Sequence, residues 1–581
     1  IYLMKLKCIY HILWSYFFLT ILSNFALQGQ TVFNPRSPIN HPILLSGSFG
    51  ELRATHFHAG IDIKSKNGVA GDPIYSIEEG YVSRIVVRAD GYGNAIYVSH
   101  PGSFTSVYGH FEEFSSPFSD FVKQTQYKLK SFELEIEPEP GQFPVTKGQL
   151  LGKMGNSGTS FGPHLHFEIR NTKTDRPINP LFYGFRPPDK RPPVISGIKI
   201  TQFTTDSIEY SSQKFSASSN GNGKYKLKAD TLIVDAEKIG IEFNGYDQMD
   251  GVYNKHGIVE LIMKINGEIV YQYRVDSFSF EEARHIYAHV NYTSFFQDKS
   301  KYQHCYILPA DPLKIYRNSG EKSALISLKK YEKQLIEIIV RDFNNNESNI
   351  RFWVKRNSKT IAKPSPLIYN YILDPGKPAL VNDQSAILYF SDSAIYSRMF
   401  LHLTQSNSIE KPYKSPFIFI NNGFKIFKEK VDLFIKYDSL SPEKLLKTVV
   451  VECGSGSRLN SYGGDIFDTY IHAKINRFGT YALFVDTIPP EIKSKNFKSD
   501  MTGQQSVSFI IDDNLESENR SNELRYYGYI DDQWVLFEYD KKSKTITHHF
   551  EKILDKGTHT LKIELRDGKN NLKVFKDKFI K

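Results

Sequence analysis

Apolar and polar side chains alternate along much of this chain with a period of two. Residues 164–170 put Leu165, Phe167 and Ile169 on one side and His164, His166 and Glu168 on the other. Runs at 80–87, 95–100 and 104–110 are similarly rich in apolar and β-branched residues, broken by turns at Gly91-Tyr92-Gly93-Asn94 and Pro101-Gly102. Side chains two apart on a strand share a face, so these runs predict short strands in an antiparallel sheet. Farther on the pattern repeats. Residues 334–345 and 559–570 are each an alternating strand, then Arg-Asp, then an Asn/Gly turn, and each follows a Pro-Pro pair (Pro192-Pro193, Pro489-Pro490) by a domain's length. Two related β-sandwich modules at 191–356 and 489–581 are expected, with a further one at 357–488 between them. The Pro-rich stretch 186–193 closes an N-terminal domain at 30–190.

Composition agrees with this reading: 14% of the residues are aromatic, with 42 Phe and 35 Tyr, which favours strands. A chain of 581 residues exceeds one ordinary core. The fold class expected is therefore mainly β, a small antiparallel-sheet domain followed by about three β-sandwich domains. The net charge of +9 is spread along the chain rather than gathered into a basic block. That argues against a nucleic-acid surface but permits attraction to an anionic polymer or membrane surface. Met4-Lys5-Leu6-Lys7 followed by the largely apolar 9–22 predicts a secretory signal over 1–29, or an uncleaved single anchor as the one membrane attachment. The body is then expected in the periplasm, the cell envelope or outside the cell. Of Cys8, Cys305 and Cys453 the first lies in the signal, and the other two form neither a disulfide framework nor a CxxC site. Any metal would rest on histidine and carboxylate ligands.

Such ligands occur in three places. His164 and His166 share a strand face behind the Gly162-Pro163 turn; alone, such a pair is more often a surface or hydrogen-bonded pair than a metal site. His58 and Asp62, four apart around Gly60, also share a face, and His110 ends a strand. Zinc in a catalytic site takes three protein ligands and leaves a fourth position open. Five groups therefore exceed the ligand count by two, as a hydrolase with a general base and an oxyanion partner requires. Spacing does not say which three are the ligands.

The patterns His-x-x-x-Asp at 58–62, Tyr-x-His at 108–110 and Gly-Pro-His-Leu-His-Phe-Glu at 162–168, in this order, resemble the lysostaphin/LytM-type zinc metallopeptidases of the M23 class, the peptidoglycan endopeptidases. The resemblance covers about 44–187, a minority of the chain. It implies one Zn²⁺ per chain on His58, Asp62 and His166, with His164 as general base on the water and His110 stabilising the oxyanion or positioning the water. It further implies a groove between loops and, as substrate, the peptide stems or cross-bridges of peptidoglycan. Residues 111–146 exceed the family's usual connection by about twenty residues and hold a short helix near 118–127 and an acidic strand at 132–139. A wall of the substrate groove and a surface hairpin are the two readings of that insert. Residues 478–490 resemble the closing strand of bacterial immunoglobulin-like surface domains leading into the next module, which suggests spacing, docking or recognition of envelope proteins.

The resemblance thus points to an exported zinc metalloendopeptidase of the cell wall. The alternatives are a non-catalytic M23-like regulator or wall-binding adaptor of other hydrolases, and a surface adhesin whose sandwiches matter most. Several residues are weighed down beside the five. His56 is expected beside the metal ligands or in solvent, and His100 in a turn. Asn94 and Arg53 are as well read as a backbone partner and a surface ion pair as substrate contacts. Glu168 is either a partner behind His166 or an exposed strand residue. Asp342, residues 247–250 and Asp512-Asp513-Asn514 invite Ca²⁺, but without the twelve-residue loop pattern they read as turn chemistry.

Overall fold

Runs of β-branched and aromatic residues bounded by Gly and Pro become strands throughout, and the chain is mainly β. The computed structural model describes residues 33–204, 207–317, 323–357, 368–421, 426–454, 458–518, 523–550 and 554–581. The signal expected over 1–29 lies outside them. Among the described residues no helix is long and apolar enough to cross a membrane.

The N-terminal part contains β1 (Leu45–Gly47), β2 (Ile61–Lys64), β3 (Pro73–Tyr75), β4 (Gly80–Val87), β5 (Ala95–His100), β6 (Phe104–Gly109) and β7 (Phe111–Phe114). After α1 (Phe118–Leu129) come β8 (Leu134–Ile136), β9 (Pro144–Val145), β10 (Leu150–Met154), β11 (His164–Asn171) and β12 (Arg176–Ile178). The main sheet runs β1-β2-β11-β6-β5-β4-β8, with β12 on β11 and β9 on β4, and a three-stranded sheet runs β3-β10-β7. The central position of β11 matters most. It pairs antiparallel with β2, His166 opposite Asp62, and with β6, His166 opposite Gly109. All three motif segments therefore meet at one end of three neighbouring strands.

The helix expected near 118–127 is α1, which turns Phe118, Val122 and Gln126 inward. The acidic strand is β8, paired with β4, where Arg88 and Arg84 face Glu135 and Glu137. It lies four strands from β11, about 19 Å at the usual strand spacing. This part of the insert lines the far edge of the sheet rather than the histidines.

Beyond residue 190 an eleven-stranded sheet turns over on itself: the strand Glu209–Ser219 pairs with Val194–Phe203 as far as Ser216, then with Lys224–Leu227 through its last three residues. Its buried side chains join those of the N-terminal part in one continuous core reaching from Ile39 to Val354, which also takes in Tyr396 from the part that follows. At the seam Phe278 stacks on Phe49 with ring centroids 4.8 Å apart and lies 5.8 Å from Phe57. The boundary expected at 190/191 thus separates two sheets that share one apolar interior. Two further cores follow, one containing Leu373 to Leu483 and one Met501 to Phe579. The strand Leu515–Ser517 of the last part pairs parallel with Leu459–Ser461 of the one before it. The free thiols Cys305 and Cys453 take no part in a disulfide.

Candidate metal centre

The register of β2 on β11 sets Asp62 against His166, and the loop before β2 brings in His58. That loop folds on itself, Gly50 N–H donating to His58 O (2.8 Å) and His58 N–H to Glu51 O (2.9 Å). The module after residue 190 holds it from outside. Phe57 N–H donates to Ala283 O (3.0 Å), Gly257 N–H to Ser48 Oγ (3.0 Å) and Lys301 Nζ to Leu52 O (2.7 Å).

His58 Nε2, Asp62 Oδ1 and His166 Nδ1 form a nearly equilateral triangle. His58 Nε2 lies 3.0 Å from Asp62 Oδ1 and 3.1 Å from His166 Nδ1, and His166 Nδ1 lies 3.0 Å from Asp62 Oδ1. Each residue is pinned from behind. His58 donates through Nδ1 to Ser48 O (2.8 Å), His166 faces Glu168 Oε1 with Nε2 (2.7 Å), and Arg53 Nη2 donates to Asp62 Oδ2 (2.6 Å). A carbonyl only accepts, so His58 carries its proton on Nδ1 and turns a lone pair inward. Glu168 selects the same arrangement for His166. Once His166 Nδ1 gives up its proton, three lone pairs converge on one point, which a cation satisfies. Donors around tetrahedral zinc at about 2.0–2.2 Å stand about 3.3–3.6 Å apart, within a few tenths of an ångström of this triangle. Gly47 gives the Arg53–Asp62 contact its room, since a Cβ there would stand 2.2 Å from Arg53 Nη2 and 2.5 Å from Asp62 Oδ2.

Glu168 is fully buried, which removes the exposed-strand reading. Besides His166 it accepts Tyr92 OH (2.5 Å) and Arg170 Nε (2.6 Å), and the Tyr92 ring stacks on His166 at 4.8 Å. Arg170 is covered in turn by Phe280 of the next module, 4.4 Å away. Burial by itself would raise Glu168, but Arg170 and then His166 hold it at about 2. Burial likewise opposes the charge on Asp62, yet His58 and hydrogen bonds from the three histidines keep it well below the usual carboxylate range. Burial alone would depress His166; the Asp62 and Glu168 carboxylates carry it instead to about 9, so a cation entering the triangle displaces a proton.

The other two histidines stand beside the triangle. His164 donates through Nδ1 to Gly162 O (2.8 Å) and turns Nε2 towards Asp62 Oδ1 at 3.5 Å. His110, at φ 65°, donates through Nδ1 to Ser157 O (2.8 Å), and its ring lies 4.7 Å from that of His164. Burial, then the charges of His164 and His166, lower His110 to about 3. Both rings therefore present an Nε2 lone pair. His164 is the more open of the five, its side chain 15% exposed against 5–8% for His58, Asp62 and His166. The fully exposed Phe161 precedes it by three residues on the loop that Lys542 of the last module reaches, donating to Asn156 O (2.5 Å) and Ser160 O (3.2 Å).

Of the residues weighed down, His56 is exposed, its ring against Thr55 and its carbonyl accepting Arg53 N–H (3.0 Å), and His100 donates to Glu79 O within a buried network away from the triangle. Asn94 donates to Phe111 O, the backbone role among its two readings. Tyr92 and Arg170 had no signal in the motifs, although 164, 166, 168 and 170 necessarily share one face of β11.

The model of the family described as peptidase family M23 matches residues 56–127 and 133–180. The chain is 27% identical over 138 residues to the DD-carboxypeptidase/endopeptidase Mpg of Neisseria meningitidis serogroup B (strain ATCC 13091 / M2091), covering 24% of this chain and 25% of that protein. It is 28% identical over 163 residues to an uncharacterized metalloprotease of Haemophilus influenzae (strain ATCC 51907 / DSM 11121 / KW20 / Rd), covering 27% and 26%. The chain thus spans about a quarter of the length of the first relatives it matches. Over 116 residues it is 30% identical to lipoprotein NlpD of Yersinia enterocolitica, covering 20% of this chain and 93% of that protein. With the matched segments carrying His58, Asp62, His110, His164 and His166, the chain belongs to peptidase family M23.

Proposed function

We propose that this chain is an exported zinc metalloendopeptidase that hydrolyses peptide bonds in the stems or cross-bridges of bacterial peptidoglycan. The observation that carries the reading is the triangle of inward lone pairs on His58, Asp62 and His166, each fixed by a partner behind it, with two further histidine lone pairs alongside. The three residues fit one Zn²⁺. The chemistry such an ion supplies is Lewis acidity towards a peptide carbonyl and a water molecule.

The chain's own residues do the rest. His164, with Nδ1–H held by Gly162 O, accepts a proton at Nε2 and can return it to the leaving amine. His110 presents Nε2 as an acceptor, because its Nδ1 proton is committed to Ser157 O. In this form it orients a water; it donates to an oxyanion only after taking up a proton itself. Ser48, Arg53 and Glu168 keep the ligands from rotating. The modules at 191–356, 357–488 and 489–581 hold or dock the peptidase part in the envelope, where the positive net charge favours an anionic polymer.

The test is digestion of purified peptidoglycan by the zinc-loaded protein, with mass spectrometry of the released muropeptides. New amino termini at stem or bridge bonds, with one zinc per chain, are expected. Bound zinc without any cleaved bond would instead favour the regulator or adaptor.

A further inference from the structure

The repeated Arg-Asp turn builds the same object twice. In Arg341-Asp342-Phe343-Asn344-Asn345-Asn346 and Arg566-Asp567-Gly568-Lys569-Asn570-Asn571 the aspartate Oδ1 accepts backbone N–H groups two and four residues on, at 2.8–2.9 Å. Oδ2 accepts the amide of the Asn four residues on, at 2.7 Å in both. The same amide reaches back to the carbonyl of an aspartate three residues before the Pro-Pro pair: Asn346 to Asp189 O (3.5 Å) and Asn571 to Asp486 O (3.0 Å). A third aspartate follows a strand: Asp247 after Lys238–Tyr246, and Asp513 after Ser506–Asp512. In each trio one oxygen of every carboxylate lies within 4.8 Å of the others.

Turn formation accounts for Asp342 and Asp567, whose oxygens are both used by their own loops. Asp189 and Asp486 each give Oδ1 to the backbone N–H two residues on, Arg191 (3.0 Å) and Ile488 (3.4 Å), but turn formation leaves other oxygens unexplained. Asp247 is 1% exposed and its Oδ1 has no hydrogen-bond partner; Asp189, 8% exposed, leaves Oδ2 unpartnered. In the second trio Asp513 Oδ1 is unpartnered, and so is Oδ1 of the neighbouring Asn514. Burial first and the neighbouring carboxylates second push Asp247 to about 8 and Asp513 to about 7. Carboxylates this close, buried except for the half-buried Asp513, repel one another when ionised and are poorly solvated. Ca²⁺ binds oxygen ligands at about 2.3–2.6 Å, so ligands on opposite sides of one ion stand about 5 Å apart, and both trios are within that span.

We propose that the chain binds two Ca²⁺ ions apart from the peptidase centre, one at Asp189, Asp247 and Asp342 and one at Asp486, Asp513 and Asp567. Each ion ties the linker that enters a module to two loops at that module's end. At the second site it does so two residues before the strand Leu515–Ser517, which bridges to the preceding module. The ions act as fasteners of module orientation.

Zinc-loaded full-length protein, dialysed free of other divalent ions, is titrated with CaCl₂ by calorimetry, with thermal unfolding followed in parallel. Two Ca²⁺ per chain are expected, with Kd about 10⁻⁵ to 10⁻³ M, and a higher unfolding midpoint. Asp247→Asn and Asp513→Asn should each reduce the stoichiometry to one, and the double variant to zero. Without calcium each variant should melt no lower than the parent, since the amide replaces a carboxyl that burial and its neighbours already bias towards the neutral form. A parent that binds no Ca²⁺ up to about 10 mM, or single variants that retain two ions, would overturn the proposal. Neither readout depends on peptidase activity.

Discussion

Glu168 Oε1 stands 2.7 Å from His166 Nε2, on the side of the ring opposite Asp62. Glu168→Gln keeps the shape but weakens control over which nitrogen carries the proton. We expect a folded protein with about 10- to 100-fold weaker zinc binding, measured by competition with a chromogenic chelator. Unchanged affinity would mean that Tyr92 stacking alone orients the ring.

His164 and His166 sit two residues apart yet should fail differently. His166→Ala is expected to lose zinc and hydrolysis together. His164→Ala should retain one zinc while turnover falls about 10²- to 10⁴-fold. Metal analysis beside muropeptide release separates the two, and full activity in His164→Ala would refute its assignment as base.

Phe278 lies in a module without catalytic motifs, yet it packs on Phe49 and Phe57 beside the His58 loop. Phe278→Ala should cost about 3–5 kcal/mol and also weaken zinc binding. Because the core is continuous from Ile39 to Val354, a fragment of residues 33–357 should unfold in one calorimetric transition. Separate transitions for 33–190 and 191–357 would show that the seam couples them weakly.

His289 is fully buried, donates through Nε2 to Gln303 Oε1 (3.0 Å) and is held at about 3, chiefly by burial. Its folded-state value is depressed, so above pH 6.5 it costs nothing. Below that the unfolded chain takes up a proton that the folded chain refuses, and stability falls as pH drops towards 3. At pH 5.5 the loss is about 1.4 kcal/mol. His256, His285 and His304, lowered in the same direction, add to it. His289→Gln should therefore lose less thermal stability than the parent between pH 7.5 and 5.5; equal losses would place the acid sensitivity elsewhere.

How legible the centre was depended on the range of each interaction. A period of two puts His164, His166, Glu168 and Arg170 on one face of β11 whatever the rest of the chain does, so the histidine pair was readable locally. Whether Glu168 is buried or exposed depends on Tyr92 and Phe280, which are distant in sequence, and only packing answers it. Arg53 reads equally as a surface ion pair or a substrate contact, because nothing local reveals that Gly47 opens a path from it to Asp62.

The two acidic trios divide the same way. The repeated Arg-Asp turn and the Pro-Pro pairs were visible as sequence, and so was the turn chemistry of Asp342 and Asp567. The approach of Asp189 to Asp247, and of Asp486 to Asp513, was not. Local spacing by itself determined strand faces, turns and the order of the five site residues, because those follow from backbone geometry within a few residues. Tertiary structure alone decided which carboxylates are buried together and which module braces the His58 loop, since desolvation and charge repulsion act between groups that sequence distance does not relate.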